Sequence, residues 1–379
     1  NLQSMYGSSQ LGAANSASTV SGLFDYDDGK KLIKASEDGK FYQCDAGTWN
    51  AVTGARKDDN STVEGTRWFG CMFYGATTDK DLLVLGNGID APIRYDTTNG
   101  AVTLGGSPPS LGSFPCSWQN RLWMAEGDTL YYSKVNNCED WSTGAGGGSI
   151  GIARGNDGPI VGLAAFANHL FIFKRNHVFR IAPTLTFSSL NVQNVTGVNG
   201  TVAGKSIAEG EIGDRNVLTW MSENAIESIG PSNAVSGFEP IEISRWIEPL
   251  YDNRNITSMG TAWSNYNQGR KELYTFIPWG TKVVPSRGFI GNLSRAGRPP
   301  RWTQMNRNNL TAGVTFNGDA SASTSATLDN IQYVGDNAGR VYQMHNTAET
   351  VNYQWDGATV TTQFQSKYYL QNSPGHMKR

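Results

Sequence analysis

Short apolar segments and turn-forming clusters alternate along residues 82–182. Each apolar segment is three or four residues long, and most are joined by a few residues rich in Gly, Asn or Asp. This spacing is typical of successive antiparallel hairpins, and it leaves no room for crossover helices. The segments are residues 82–85, 93–95, 121–124, 130–132, 160–163, 170–173 and 178–181.

A chain of repeated hairpins has to protect its sheet edges, and at a length of 379 residues the usual solution is a closed β-propeller. Repeat units of about 40–50 residues place boundaries near residues 20, 66, 113, 158, 204, 255 and 309. The pattern therefore predicts an all-β propeller of about seven blades, with six or eight as the alternatives. We expect a polar N-terminal segment over residues 1–19, the propeller over 20–345, and C-terminal strands or a docking segment over 346–379.

Two distant hairpins resemble each other in sequence. Residues 39–43 read Gly-Lys-Phe-Tyr-Gln and residues 339–343 read Gly-Arg-Val-Tyr-Gln. The first follows an Asp-Gly pair, which is the strongest short hairpin signal. Equivalent blades would produce this similarity.

One segment departs from the strand pattern. In residues 240–252 the apolar side chains of Ile243, Trp246, Ile247 and Leu250 follow helical spacing, and Pro249 limits the length of any helix. We predict a short helix near 241–252 that lies over a blade edge or in a groove between blades.

Composition and charge narrow the function classes. The net charge is −2 with both signs scattered, which argues against a basic nucleic-acid stripe or a polybasic membrane patch. The sequence contains no run of 18 apolar residues, so it predicts no membrane-spanning helix. The cysteines at 44, 71, 116 and 138 lack Cys-x-x-Cys spacing, so we expect free, mostly buried thiols and not a zinc site.

Structural roles explain the candidate catalytic residues more simply than catalysis does. The aspartates sit in turn contexts, where their carboxylates cap the backbone, and residues 44–49 resemble an incomplete Asp-box turn of sialidases. The histidines flanking one hairpin have no acidic residue placed with them, so we expect surface or loop-end roles. We predict no catalytic residues, no metal and no cofactor. The residues considered are Asp25, Asp27, Asp28, Asp79, Asp81, Asp90, Asp96, His169, His177, His345 and His376.

The ordered series of segments resembles one protein family. It runs from Gly-Asn-Gly-Ile-Asp at 86–90 through Gln-Asn-Arg-Leu-Trp at 119–123 and Leu-Phe-Ile-Phe-Lys at 170–174 to Leu-Thr-Trp-Met-Ser at 218–222. It is similar to the β-propeller tail proteins of tailed bacteriophages, the nozzle or tail-stabilisation (hub) proteins below the adaptor of short-tailed phages. The resemblance covers residues 80–230 well and continues more weakly through 345.

The resemblance implies a structural virion protein and no catalysis. It implies a ring of identical subunits around the channel for DNA ejection, and the number of subunits that the family implies is six. The expected partners are the adaptor and portal-side tail proteins, the tail fibres and DNA in transit, and the expected location is the phage tail. The family usually has a further N-terminal segment and continues into more strands near 368–379, so we expect a fragment or docking segments outside this chain.

Two alternatives to the nozzle remain at this point. One is a glycan-binding or glycan-cleaving propeller that recognises the host surface, and the other is a generic interaction platform. The basic residues also have two interpretations. They could line a channel or an interface, or they could lie on a solvated face of a blade. Those residues are Lys174, Arg175, Arg180, Lys205 and Arg215.

Overall fold

The chain folds as a seven-bladed β-propeller, in which each blade is a small antiparallel sheet. In this computed structural model, side-chain and backbone detail is described for most of the chain between residues 8 and 344. The described residues are 8–14, 17–53, 67–75, 81–153, 155, 157–183, 190–195, 197–232, 237–241, 243–245, 247–294, 300–305, 309–321, 330–344, 354–355 and 358–359.

Consecutive strands build each blade in chain order. Blade 1 contains β2 (Val20–Tyr26), β3 (Lys31–Ser36), β4 (Phe41–Asp45) and β5 (Thr48–Ala51). Blade 2 contains β6 (Phe69–Tyr74), β7 (Asp81–Gly86), β8 (Ile93–Asp96) and β9 (Gly100–Thr103). Blade 3 contains β10 (Ser113–Trp118), β11 (Arg121–Glu126), β12 (Thr129–Tyr132) and β13 (Gly148–Gly151). Blade 4 contains β14 (Gly162–Phe166), β15 (His169–Phe173), β16 (Val178–Ile181) and β17 (Val192–Val195).

The remaining blades follow the same order. Blade 5 contains β18 (Ala208–Ile212), β19 (Arg215–Met221), β20 (Ile226–Pro231) and β21 (Phe238–Pro240). Blade 6 contains β22 (Trp263–Asn267), β23 (Glu272–Pro278), β24 (Pro285–Asn292) and β25 (Arg301–Met305). Blade 7 contains β26 (Leu310–Phe316), β27 (Ile331–Asp336) and β28 (Val341–Met344), completed by β1 (Ser8–Gln10). The predicted boundaries fall within four residues of the blade starts, except that blade 6, predicted to begin near 255, begins at Trp263.

The first strand of each blade lies at the centre of the ring. These inner strands contact one another from blade to blade, and the ring closes where β26 meets β2. Because they all run in the same direction, the two ends of the ring differ. We call the end at which the inner strands begin the entry face, and the opposite end the exit face.

Blade 7 joins the two ends of the described chain. Strand β1 pairs with β28 in antiparallel register, and the Leu11 amide donates to the Val341 carbonyl at 2.8 Å. The Trp49 indole of blade 1 donates to the Leu11 carbonyl at 2.9 Å. The propeller thus uses residues before position 20, and two short strands, β29 (Gln354–Trp355) and β30 (Ala358–Thr359), continue the sheet beyond β1.

The two similar pentapeptides occupy equivalent places. Strands β4 and β28 are each the third strand of their blade. The turn before each is closed alike, since the Ser36 amide donates to Lys40 and the Asp336 amide donates to Arg340. Gly39 and Gly339 both have a φ near +75°, which favours glycine. The internal repeat is confirmed as a blade repeat.

The predicted helix is one turn long. It is α1 (Glu248–Tyr251), with Pro249 in its first turn, where the missing amide is not needed. Ile243, Ile247 and Tyr251 pack into the core between blades 5 and 6, whereas Leu250 is 37% exposed. The segment lies in an inter-blade groove as predicted. Trp246 lies outside the described residues.

Tight contacts between blades form much of the core. In blade 6, the Trp263 ring stacks on Phe276 with centroids 4.6 Å apart, and its indole donates to Leu310 of blade 7 at 2.8 Å. A Cβ on Gly313 would lie 2.3 Å from the Trp263 ring. The inner strand of blade 7 therefore needs glycine where it crosses this indole.

A lysine is buried between blades 1 and 7. The Lys34 ammonium donates to the Gly339 carbonyl at 3.1 Å and lies 4.8 Å and 5.0 Å from the ring centroids of Tyr42 and Trp49. Its side chain has no exposed surface. Burial lowers the pKa of Lys34 to about 8, although nearby carboxylates act in the opposite direction.

Stability should therefore rise with pH above 8. Between pH 8 and 9.5 folded Lys34 loses its proton, while in the unfolded chain, with an ordinary lysine pKa of about 10.4, it retains it. Because the unfolded state then binds more protons, Lys34 adds roughly 1–2 kcal/mol of stability across this window. Chemical denaturation of wild type and Lys34→Met at both pH values measures the difference. Equal pH dependence in the two proteins would contradict this assignment.

Candidate functional site

The inner strands surround an axial cavity of about 330 Å³. At about 30 Å³ per water molecule, it holds on the order of ten waters. Most of the residues that line it are apolar, and Asp25, Lys205, Ser264 and Asn265 add polar side chains to the wall. The apolar wall residues include Phe24, Met72, Leu83, Leu163, Ile207 and Trp263. The cavity is therefore a candidate binding site at the axis of the ring.

Lys205 lies across the entry-face mouth of this cavity. It belongs to the 3-10 turn Gly204–Ser206 between blades 4 and 5, and its ammonium donates to the Ser21 carbonyl of blade 1. In a seven-membered ring those positions lie on opposite sides of the axis. The ammonium is also 5.7 Å from the Phe69 ring centroid, and Phe69 packs edge-on against Phe114 at 4.4 Å. The mouth is thus narrowed by two rings and one lysine.

A second cation adjoins the mouth. The Arg67 side chain is 7% exposed and donates from Nη1 to the Thr311 carbonyl of blade 7. Its Nε is buried with no hydrogen-bond partner. Burial lowers the pKa of Arg67 to about 10, with Glu37 acting weakly in the opposite direction. Burial, together with the charge of Arg67, lowers the pKa of Lys205 well below its usual value.

The five basic residues singled out from the sequence occupy separate environments. Lys174 is buried and pairs with Asp128 at 3.0 Å, between blades 3 and 4. Arg175 pairs with Glu223 at 2.7 Å. Only Lys205 lies at the axis.

The other two lie on strands of blades 4 and 5. Arg180 on β16 stacks on Phe238, 5.2 Å from the ring centroid, and Arg215 at the start of β19 pairs with Glu239 at 2.7 Å. The structure therefore does not bring the five residues together on one surface. Arg67, which lies beside Lys205, was missed because a single arginine after a polar stretch carries no sequence signal.

Several aspartates cap turns as predicted. Asp25 accepts from the Gly29 amide at 2.7 Å, and Asp96 accepts from the Thr98 and Asn99 amides at 2.8 Å and 2.7 Å. The turn of residues 44–49 is a tight hairpin in which Ala46 and Gly47 both have positive φ. Asp79 lies outside the described residues.

On the exit face, a cluster of carboxylates lies near an exposed tyrosine. Tyr74, at the end of inner strand β6, is 57% exposed. Desolvation and the charges of Asp81, Asp27 and Asp28 raise its pKa. Partial burial and a hydrogen bond to Asp27 raise the pKa of Asp81. This places an exposed aromatic ring beside clustered carboxylates.

The histidine prediction needs two corrections. His169 is buried at 8% exposure and packs edge-on against Phe238 at 5.1 Å. His177 is exposed but has an acidic partner, because its Nδ1 lies 2.9 Å from the Asp157 carboxylate. Asp157 follows a Gly-rich loop, so its approach to the β15–β16 turn was not visible from spacing. His345 and His376 lie outside the described residues.

The cysteines are free thiols, as predicted. Cys44, Cys116 and Cys138 are buried, and burial raises the pKa of Cys116 to about 12. Within the described ranges, no three His, Cys, Asp or Glu side chains are arranged to hold a metal ion. None of the helices described is both long and apolar enough to cross a membrane.

Comparison with known proteins identifies the fold. No protein-family model matches the chain, and no curated protein matches it. Among solved structures, Raptor from Chaetomium thermophilum is similar with a TM-score of 0.54 and 12% identity, over 92% of this chain and 29% of that one. U3-55K gives 0.53 and 8%, over 89% of this chain and 98% of that one.

A bacterial extracellular domain is similar to the same degree. The extracellular domain of the two component system protein BT4673 from B. thetaiotaomicron gives a TM-score of 0.52 and 10% identity, over 90% of this chain. The chain spans 40% of the length of that protein. At these identities the similarity shows the fold alone, and the fold it shows is the seven-bladed β-propeller.

Proposed function

We propose that the chain is a structural protein of a bacteriophage tail, a nozzle or hub subunit. It assembles with copies of itself into a ring around the path of DNA and contacts adaptor and fibre proteins through loops on its faces and rim. Its role is mechanical, because loops on a rigid closed scaffold suit contacts with neighbours. It is not an enzyme in this proposal.

The ordered hairpin series carries this proposal. Three of the segments that resemble phage nozzle proteins, 119–123, 170–174 and 218–222, fall on β11, β15 and β19, and the segment 86–90 begins at the last residue of β7. Each of these strands is the second strand of its blade. The resemblance is therefore repeated at one structural position in blades 2 to 5, and this supports a common architecture over the whole series.

The axial cavity defines where DNA would pass in such a ring. A cavity of about 330 Å³, narrowed by Lys205 and two phenylalanine rings, cannot admit a polynucleotide. The DNA path must then lie between subunits, at the axis of the ring. Lys174, Arg175 and Arg215 are each held in a salt bridge, which weakens their attraction for phosphates and suits transit along a weakly interacting wall.

Particle images and mass measurement of the purified chain test the proposal. We expect rings or stacks at micromolar concentration, with a mass six times the 41.2 kDa of one chain. Analytical ultracentrifugation over a hundredfold concentration range should show the same assembly. A chain that remains monomeric throughout this range, while still showing a cooperative thermal transition, would contradict the ring.

A second function is favoured by the exit-face group around Tyr74. An exposed ring beside Asp27 and Asp81 is the arrangement expected of a glycan-recognising tail component. Glycosidases use paired carboxylates. Release of reducing sugar from bacterial envelope polysaccharide, lost in Asp81→Asn and retained in Asp90→Asn, would establish this function in place of the first.

A further inference from the structure

Two cationic side chains at the entry-face mouth lack a salt-bridge partner among the described residues. Lys205 and Arg67 each donate to one backbone carbonyl, those of Ser21 and Thr311, and the described residues give neither a salt bridge. The Val20 carbonyl at the start of β2 is occupied by the Thr311 hydroxyl at 2.7 Å. Both cations are therefore hydrogen-bonded to neutral backbone carbonyls.

This arrangement is costly without a counter-ion. Buried charges in proteins are normally paired or fully hydrogen-bonded, because desolvation of an isolated ion is expensive. The Arg67 Nε is buried and lacks a partner, whereas Lys205 is half-buried, and the charge of Arg67 disfavours the charged form of Lys205. Arg67 directly precedes Trp68, which lines the axial cavity together with Lys205.

We propose that the entry-face mouth binds a small oxyanion between Lys205 and Arg67. The guanidinium and the ammonium supply donors suited to phosphate or carboxylate oxygens. An anion at this position satisfies the Arg67 Nε and relieves the repulsion between the cations. It also links blade 2, which Arg67 precedes, to the segment between blades 4 and 5.

Thermal unfolding in phosphate and in chloride at equal ionic strength tests this site. Inorganic phosphate is the probe, and Tm should rise with the logarithm of phosphate concentration once that exceeds the dissociation constant, reaching about 2 °C at ten times a millimolar dissociation constant. Lys205→Met and Arg67→Gln should each lose the rise. Lys30→Met is the matched control, because Lys30 is an exposed exit-face lysine that pairs with Asp27, and it should keep the rise.

Two results would overturn the proposal. One is a wild-type Tm that does not rise, or that rises in direct proportion to phosphate concentration, since phosphate stabilises proteins generally by exclusion from their surface. The other is an undiminished rise in Lys205→Met. Because the wild-type titration decides the first outcome alone, the test does not depend on the variants folding. Ring assembly is a separate measurement, so its failure leaves this site unaffected.

Discussion

Deletion of residues 1–12 is expected to lower the free energy of unfolding by about 5 kcal/mol. It removes β1 from blade 7 and the buried Leu11 side chain, and it leaves the Trp49 indole without its acceptor. Loss of a buried leucine removes about 2 kcal/mol, and an unsatisfied buried donor costs roughly 1–3 kcal/mol. The lost ladder hydrogen bonds add to this total.

Differential scanning calorimetry measures the effect of the deletion. A chain that lacks residues 1–7 and keeps β1 is the matched control, because the two deletions differ only in Ser8–Gln10 and the residues that follow. We expect the longer deletion to melt roughly 5–10 °C lower than the shorter one and to aggregate through the exposed edge of β28. Equal melting of the two deletions would show that β1 contributes little to the stability of blade 7.

Trp263→Ala is expected to destabilise the protein by about 4 kcal/mol, within the range for buried tryptophan truncations. The substitution removes a stacked ring at the centre of the boundary between blades 6 and 7 and the indole bond to Leu310. It also leaves a void beside Gly313, where no side chain is available to fill it.

The matched control is Trp279→Ala in the same blade. Trp279 is half-buried beside Arg287, whose guanidinium carbon is 4.6 Å from its ring centroid, so we expect a loss of about 1 kcal/mol. Guanidinium denaturation of both variants gives the comparison. Similar losses at the two positions would mean that the inner-strand tryptophan is not a principal contact between blades.

The hairpin pattern predicted most of the fold because it is local. Strand pairs such as β7 and β8 are apolar, short and bounded by turn residues, so their pairing is visible from sequence. The match between residues 39–43 and 339–343 identified equivalent strands because the same turn chemistry precedes both. Blade count followed from the regular spacing of these units.

Other features depend on contacts that are distant in the chain. Strand β1 reads Ser-Ser-Gln, which carries no apolar pattern, and only the open edge of β28 makes it a strand. Leu250 follows helical spacing but is exposed, because the helix around it is a single turn. Lys205 and Arg67 are 138 positions apart in numbering, and only closure of the ring brings them together.

The proposed function assigns packing to the interior of the propeller and contacts with neighbouring proteins to its surface. The interior is filled by contacts between blades, and the axis is narrowed at its mouth. The faces and rim are then the surfaces available for neighbours, and the proposed ring of subunits would supply a channel that the single chain does not provide.

Electron microscopy of intact particles that contain this chain tests the central claim of the proposed function most directly, since it reports location and stoichiometry together. The account predicts six copies of a seven-bladed propeller around the DNA channel of the tail, with each propeller axis outside that channel. A tail fully accounted for by other chains, or copies of this propeller found only at the tips of fibres, would contradict it.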